Sequence, residues 1–207
     1  QTAEGNFNVV LAHRQPGSAF KPFVYATAFT KGFTPETMLF DLPTQFDTNC
    51  LSDPTRCYTP VNYDNRYRGP ISLRQALAQS INIPSIKVLY LAGLPDSINT
   101  ARQMGIQSLD DPNRYGLTLV LGGGEVSLLD LTSAYGVFAN DGIRQPVAKI
   151  LAIEDNRGLV LEKFTPGGQR VLLAATARLI SDILSDDEAR APTFGPGSAL
   201  SFPGRAV

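Results

Sequence analysis

Two short patterns in this chain hold residue types able to carry acyl chemistry, Ser18-Ala19-Phe20-Lys21 and Ser80-Ile81-Asn82. In the first, a hydroxyl and an amine stand three residues apart, and on a helix such side chains share one face, so the amine can approach the hydroxyl. A serine hydroxyl is a poor nucleophile until its proton is removed. A lysine accepts that proton only where burial or a neighbouring cation lowers its pKa from about 10.4. The pair therefore requires a partly dry site, with Ser18 as candidate nucleophile and Lys21 as candidate base. A four-residue S-x-x-K pattern also arises by chance, and its plain alternative is a capping serine followed by a solvated lysine. The surroundings argue against that alternative: Pro16 and Gly17 before Ser18, and Pro22 after Lys21, make a sharp entry into an apolar helix, where a solvated lysine is out of place.

The elements that must position these groups follow from periodicity and punctuation. Phe20, Phe23, Val24 and Ala28 have helical spacing, which predicts a helix over residues 18–30 with Ser18 as its cap, Pro22 in the opening turn and Gly32 as the stop. The positive end of that helix would favour charge developing at Ser18. Residues 32–70 read as a long irregular excursion, rich in Pro. Its aromatic-polar string, residues 58–67, either lines a groove or covers the core. Ser72 with Gln75 forms a capping box, and the helix it opens runs to about Gln79. Pro84 suits the first position of the next helix, which stops at Gly93, so Ser80-Ile81-Asn82 falls at a helix-to-helix joint. Further helices are expected over 97–104, from the Ser127/Asp130 cap to about 140–142 with Leu128, Leu131, Tyr135, Val137 and Phe138 buried, and over 173–184. Between the last two, residues 147–154 and 159–164 flank Asn156-Arg157-Gly158 as a β-hairpin.

Composition removes several classes of function. Eighteen Lys and Arg against nineteen Asp and Glu leave a net charge of -1, so no basic field exists to hold nucleic acid. No apolar run approaches the ~18 residues needed to cross a bilayer, and no signal-peptide pattern opens the chain. Gln1 at the start and Val207 at the end, just after an apolar, Gly-containing stretch, read as cuts from a longer protein. Cys50 and Cys57 fit either a short-loop disulfide or two thiols; with no His nearby they are too few for zinc. His13 reads as a surface residue. Gly122, Gly123 and Gly124 lack the Lys-Ser/Thr of a phosphate loop and read as close backbone packing. Asp186, Asp187 and Glu188 read as a solvated helix end. Neither a metal nor a cofactor is expected.

Three ordered stretches, residues 14–23 (RQPGSAFKPF), 62–89 (NYDNRYRGPISLRQALAQSINIPSIKVL) and 121–142 (LGGGEVSLLDLTSAYGVFANDG), resemble the class A penicillin-binding proteins. The resemblance implies an α/β (α+β) penicillin-recognising serine transpeptidase or β-lactamase-like fold, of which this chain holds the helical part and a hairpin. It implies a peptidoglycan DD-transpeptidase acting on D-Ala-D-Ala stem peptides and acylated by β-lactams. In that scheme Ser18 is the nucleophile and Lys21 the base. Ser80 relays a proton to the leaving nitrogen, while Asn82 binds the substrate amide and helps to hold Lys21. It further implies a parent anchored in the cytoplasmic membrane, working on its outer side and carrying a glycosyltransferase domain. The sequence departs from the family in one respect: the third motif, a Lys-Thr/Ser-Gly strand, is missing, since Lys31, Lys87, Lys149 and Lys163 all have other neighbours. In the family that strand follows a loop like residues 193–207, so residues 1–207 read as a partial transpeptidase domain, a poor catalyst by itself. A DD-carboxypeptidase or serine β-lactamase of the same fold, or a non-catalytic β-lactam sensor or scaffold, are the alternatives.

Overall fold

The computed structural model describes residues 7–197, apart from the side chains of residues 48, 56 and 113. The outer residues, including Gln1, Val207 and most of the loop expected over 193–207, lie outside the described range. In chain order the elements are β1 (His13–Arg14), a 3-10 turn (Gly17–Phe20), α1 (Lys21–Thr30), β2 (Met38–Asp41), β3 (Gly69–Ser72), α2 (Leu73–Ala78) and α3 (Asn82–Ala92). They continue with α4 (Leu94–Met104), a 3-10 helix (Gly116–Leu121), β4 (Val126–Ser127), α5 (Leu128–Ala139), β5 (Ile143–Arg144), β6 (Ala152–Glu154), β7 (Val160–Lys163), β8 (Gln169–Arg170), α6 (Ala174–Leu184) and α7 (Asp187–Phe194).

α1 is the axis of the core. Every residue from Lys21 to Phe29 is buried, as expected of a helix apolar on all sides. It packs against α3, α4 and α6, and Phe20, Phe23 and Val24 are wholly buried in the contact, each worth about 1.5–3 kcal/mol of transfer free energy. Phe23 meets Tyr135 of α5 edge-on, with ring centroids 5.5 Å apart.

Among the described residues the strands form four antiparallel two-stranded pairs: β1 with β4, β2 with β3, β5 with β8, and β6 with β7. The expected hairpin is the β6/β7 pair, shorter than foreseen, turning at Gly158 with φ +80°. The β2/β3 pair was not foreseen within the excursion 32–70; it aligns Met38 with Ser72 and Asp41 with Gly69, and so places Asp41 at the foot of the loop of residues 42–68 that joins the two strands. The same excursion carries a Cys50–Cys57 disulfide.

Helix boundaries agree with the sequence at several punctuation marks: the Ser72/Gln75 capping box, the stops at Gly93 and Gly105, and the Ser127 cap on Asp130. They differ elsewhere. α3 begins at Asn82, two residues before Pro84, and α4 begins at Leu94, three before Ser97. Leu128 is 52% exposed on the first turn of α5 instead of buried. Asp186, read as a solvated helix end, caps α7 through Ala189 and pairs with Arg74 of α2 at 3.0 Å. Thr193 and Phe194, expected in a loop, close that helix.

Candidate active site

Ser18 does not cap α1. It sits second in the 3-10 turn, whose cap position is Pro16, and α1 itself starts at Lys21. The backbone N–H of Lys21 donates to the Ser18 carbonyl, the i to i+3 bond of a 3-10 turn, which stacks the two residues on one side of the chain. Two contacts fix this turn from outside. Tyr135 Oη donates to the Ala19 carbonyl at 2.9 Å, and Gly122 lies so close that a Cβ there would fall 2.1 Å from the Gly17 nitrogen. Of the glycine run, Gly122 thus packs backbone against backbone, as its sequence suggested, whereas Gly124 lies against the side chains of Leu109, Leu119 and Tyr115.

Lys21 is 1% exposed. Its ammonium is surrounded by acceptors from the α2–α3 joint: the Ser80 carbonyl at 2.6 Å, Ser80 Oγ at 3.1 Å and Asn82 Oδ1 at 2.9 Å. No carboxylate is among these partners, and burial pushes the amine down from 10.5 to about 7. Lys21, Ser80 and Asn82 are therefore brought together. Ser18 is adjacent through the backbone, yet among the described residues its hydroxyl has no hydrogen-bond partner, and all three contacts of Lys21 go to the other two residues.

The joint that delivers Ser80 is a Schellman motif closing α2: the Ser80 N–H donates to Leu77 O and the Ile81 N–H to Ala76 O. Its left-handed position usually holds Gly. Here it is Ser80, at φ +57°, a conformation that costs a side-chain-bearing residue about 1–2 kcal/mol. That conformation aims both the carbonyl and the hydroxyl of Ser80 at Lys21. Two residues after Ser80, α3 opens with Asn82, whose Nδ2 donates to Val61 O at 3.0 Å.

Sequence reasoning did not single out Asp41, Val61, Asn62 or Tyr135 as supports of this cluster. Asn62 lies in the aromatic-polar string, whose members divide: Asn62 is 2% exposed, whereas Tyr63 is 99% exposed. His13 lies exposed on β1, away from this chemistry. A cavity of about 660 Å³ lined by Thr132, Ser133, Gln145 and Phe164 holds none of the four candidate residues and no titratable side chain. Among the described residues no group of His, Cys, Asp and Glu could hold a metal.

Comparison with known proteins bears on this arrangement. Residues 7–201 match the family described as the penicillin binding protein transpeptidase domain. Penicillin-binding protein 1A of Neisseria lactamica is 37% identical over 193 residues, covering 91% of this chain and 24% of that protein, so the chain spans about a quarter of that relative's length. Penicillin-binding protein 1A from Haemophilus influenzae superposes with a TM-score of 0.78 at 27% identity, over 88% of this chain and 31% of that one. PonA1 from Mycobacterium tuberculosis, solved in complex with penicillin V, superposes with a TM-score of 0.76 at 22% identity, over 95% and 52%. The fold is the penicillin-recognising one, in which the mixed helix and strand composition of this chain is accommodated.

Proposed function

Because the chain belongs to the penicillin-binding protein transpeptidase family, we propose that it supplies the acyl-serine machinery of a peptidoglycan DD-transpeptidase, in a polypeptide that also carries a Lys-Thr/Ser-Gly strand. Ser18 Oγ attacks the carbonyl between the two D-alanines of a stem peptide while its proton passes to neutral Lys21. The Ser18–acyl bond forms, the C–N bond to the terminal D-alanine breaks, and Ser80 hands a proton to the leaving nitrogen. An amine of a neighbouring stem then attacks the ester, its proton returning through Ser80 and Lys21 to Ser18. Asn82 directs its amide towards the substrate and holds Lys21. β-Lactams acylate the same serine. The parent works on the outer face of the cytoplasmic membrane, and the Cys50–Cys57 disulfide suits that oxidising location. Among the described residues no helix is long and apolar enough to cross a membrane.

The observation that carries the reading is a lysine amine buried among neutral acceptors from a second helix pair, one turn from an exposed serine. A structural lysine at this depth would be expected to meet a carboxylate. The test is labelling by a fluorescent penicillin of the polypeptide carrying both this chain and the strand, followed by peptide mass spectrometry. Label on Ser18, lost in Ser18→Ala, is the expected result; label that persists in Ser18→Ala overturns the assignment. Supplying the acyl-enzyme with an amine acceptor or with water alone then separates a transpeptidase from a carboxypeptidase or β-lactamase.

A further inference from the structure

Beside the four candidate residues lies a buried polar cluster that the proposed chemistry does not use. The side chain of Asn62 makes five hydrogen bonds: Nδ2 donates to Asp41 Oδ1 at 2.8 Å, to Asp41 Oδ2 at 2.9 Å and to the Arg66 carbonyl at 2.7 Å, while Oδ1 accepts from the backbone N–H groups of Asn82 and Ile83, both at 3.1 Å. The first two N–H groups of α3 are thus capped by a side chain some twenty residues earlier, because the residue in the cap position, Ile81, has no polar side chain to offer. Asp41 is fully buried. Besides Asn62 it accepts from the Arg68 backbone N–H at 3.0 Å, and the Arg68 guanidinium stands 3.9 Å away. Lys87 of α3 donates to the carbonyl of the neighbouring Phe40 at 2.6 Å.

Val61, the residue before Asn62, accepts from Asn82 Nδ2. An amide has one donating and one accepting end. With Nδ2 held by a carbonyl, the Asn82 oxygen is left to face Lys21, where it accepts at 2.9 Å. The direction of the Asn82 amide therefore depends on where residues 61 and 62 are pinned, and Asp41 does the pinning.

We infer that Asn62, anchored by Asp41, is a positioning residue for the acyl transfer: it fixes both the backbone of Asn82 and the sense of its side-chain amide. This rests on the transpeptidase reading above, in which Asn82 meets the amide of the substrate. The chemical consequence is selectivity for acylating agents that carry a side-chain amide next to the reacting carbonyl.

The experiment measures the second-order acylation rate with benzylpenicillin, which has a side-chain amide, and with penicillanic acid, which lacks one. It uses the polypeptide carrying this chain and the Lys-Thr/Ser-Gly strand. Asn62→Ala is expected to lower the benzylpenicillin rate about tenfold or more, as a misplaced reacting geometry does, and to lower the ratio of the two rates in the same sense as Asn82→Ala. A role confined to loop packing would leave that ratio at its wild-type value. Should Asn62→Ala not fold, the exchanged pair Asp41→Asn with Asn62→Asp keeps a donor facing a carboxylate and leaves an acceptor at the start of α3. It is expected to recover the ratio relative to Asn62→Asp alone, in which two carboxylates face each other. A wild-type ratio in every folded Asn62 variant, or no recovery in the exchanged pair, overturns the inference. Wild-type protein that is not acylated at Ser18 overturns the underlying reading instead.

Discussion

Lys21 gives the most exposing test, because its burial sets a pH at which the chemistry must switch on. An amine of pKa 10.5 is neutral in roughly one molecule in three thousand at pH 7, whereas one at about 7 is neutral in about half. Burial thus raises the population of neutral amine by about three orders of magnitude at neutral pH. The second-order acylation rate, followed with a fluorescent penicillin from pH 5 to 10, should rise with a midpoint near 7, fall about tenfold from its plateau at pH 6, and be flat by about pH 8 to 9. Lys21→Met, which removes the proposed base, should cost about 10²–10⁴-fold. Lys21→Arg should fare no better, since a guanidinium does not deprotonate. Stability carries the same signature. The native state holds fewer protons than the unfolded chain between about 7 and 10.5, so unfolding free energy should rise with pH across that window, by at most about 5 kcal/mol, and the rise should vanish in Lys21→Met. A rate still climbing at pH 10, or a Lys21→Met variant acylated at the wild-type rate, would refute the argument that burial makes this amine a base.

Other substitutions separate strain, packing and hydrogen bonding around the same cluster. Ser80→Gly and Ser80→Ala both remove the hydroxyl that faces Lys21, but only glycine relieves φ +57°; both should acylate slowly, with Gly more stable than Ala by about 1 kcal/mol in urea unfolding. Gly122→Ala drives a methyl group into the Gly17 backbone at φ +85°. It should cost about 2–4 kcal/mol in thermal melts, and slow acylation in the fraction that stays folded, because the Ser18 turn is what yields. Tyr135→Phe keeps the edge contact with Phe23 and loses the donor to Ala19 O. It should cost about 1 kcal/mol of stability and remove the tyrosine whose ionisation burial pushes up to about 12, which is measurable by spectrophotometric titration.

What could be read locally was read well. The Ser72/Gln75 box and the stop at Gly93 bracket the joint that holds Ser80 and Asn82, and each is a contact between residues close in the chain. The errors come from contacts that are not. α3 is expected to begin at Pro84, because proline suits a first helical position; it begins two residues earlier, where the acceptor for the N–H groups of Asn82 and Ile83 comes from Asn62. β2 is not legible in the sequence because Met38, Leu39 and Phe40 are apolar in succession while the buried face ends on a carboxylate, Asp41, so its alternation of burial has no matching alternation of residue type, and its partner β3 lies some thirty residues later. Serine commonly caps a helix, but Pro16 and Gly17, the latter at φ +59°, wind the chain into a 3-10 turn before α1 begins. Neither the direction of the Asn82 amide nor the absence of a carboxylate beside Lys21 can be read from spacing, since both depend on which loop covers the joint.

Counting donors at Lys21 Nζ shows why that cover matters. The Ser80 carbonyl and Asn82 Oδ1 can only accept, so they occupy two N–H groups whether the amine is charged or neutral. The third position faces Ser80 Oγ, a group that both accepts and donates. In the charged amine that position is a third N–H; in the neutral amine it is the lone pair, and Ser80 then donates to it. Under the proposed mechanism Ser18 must present its proton to this same lone pair, one turn along the chain, so the hydroxyls of Ser18 and Ser80 compete for a single acceptor. The competition makes a proton relay possible without large motion: what Lys21 takes from Ser18 it can pass to Ser80, already 3.1 Å away. The relay is directional only while the other two contacts hold the amine still. Without Asn82 Oδ1, one N–H is freed and the lone pair is no longer confined to the side facing the two serines, which makes the amide of Asn82, and the loop that orients it, part of the base.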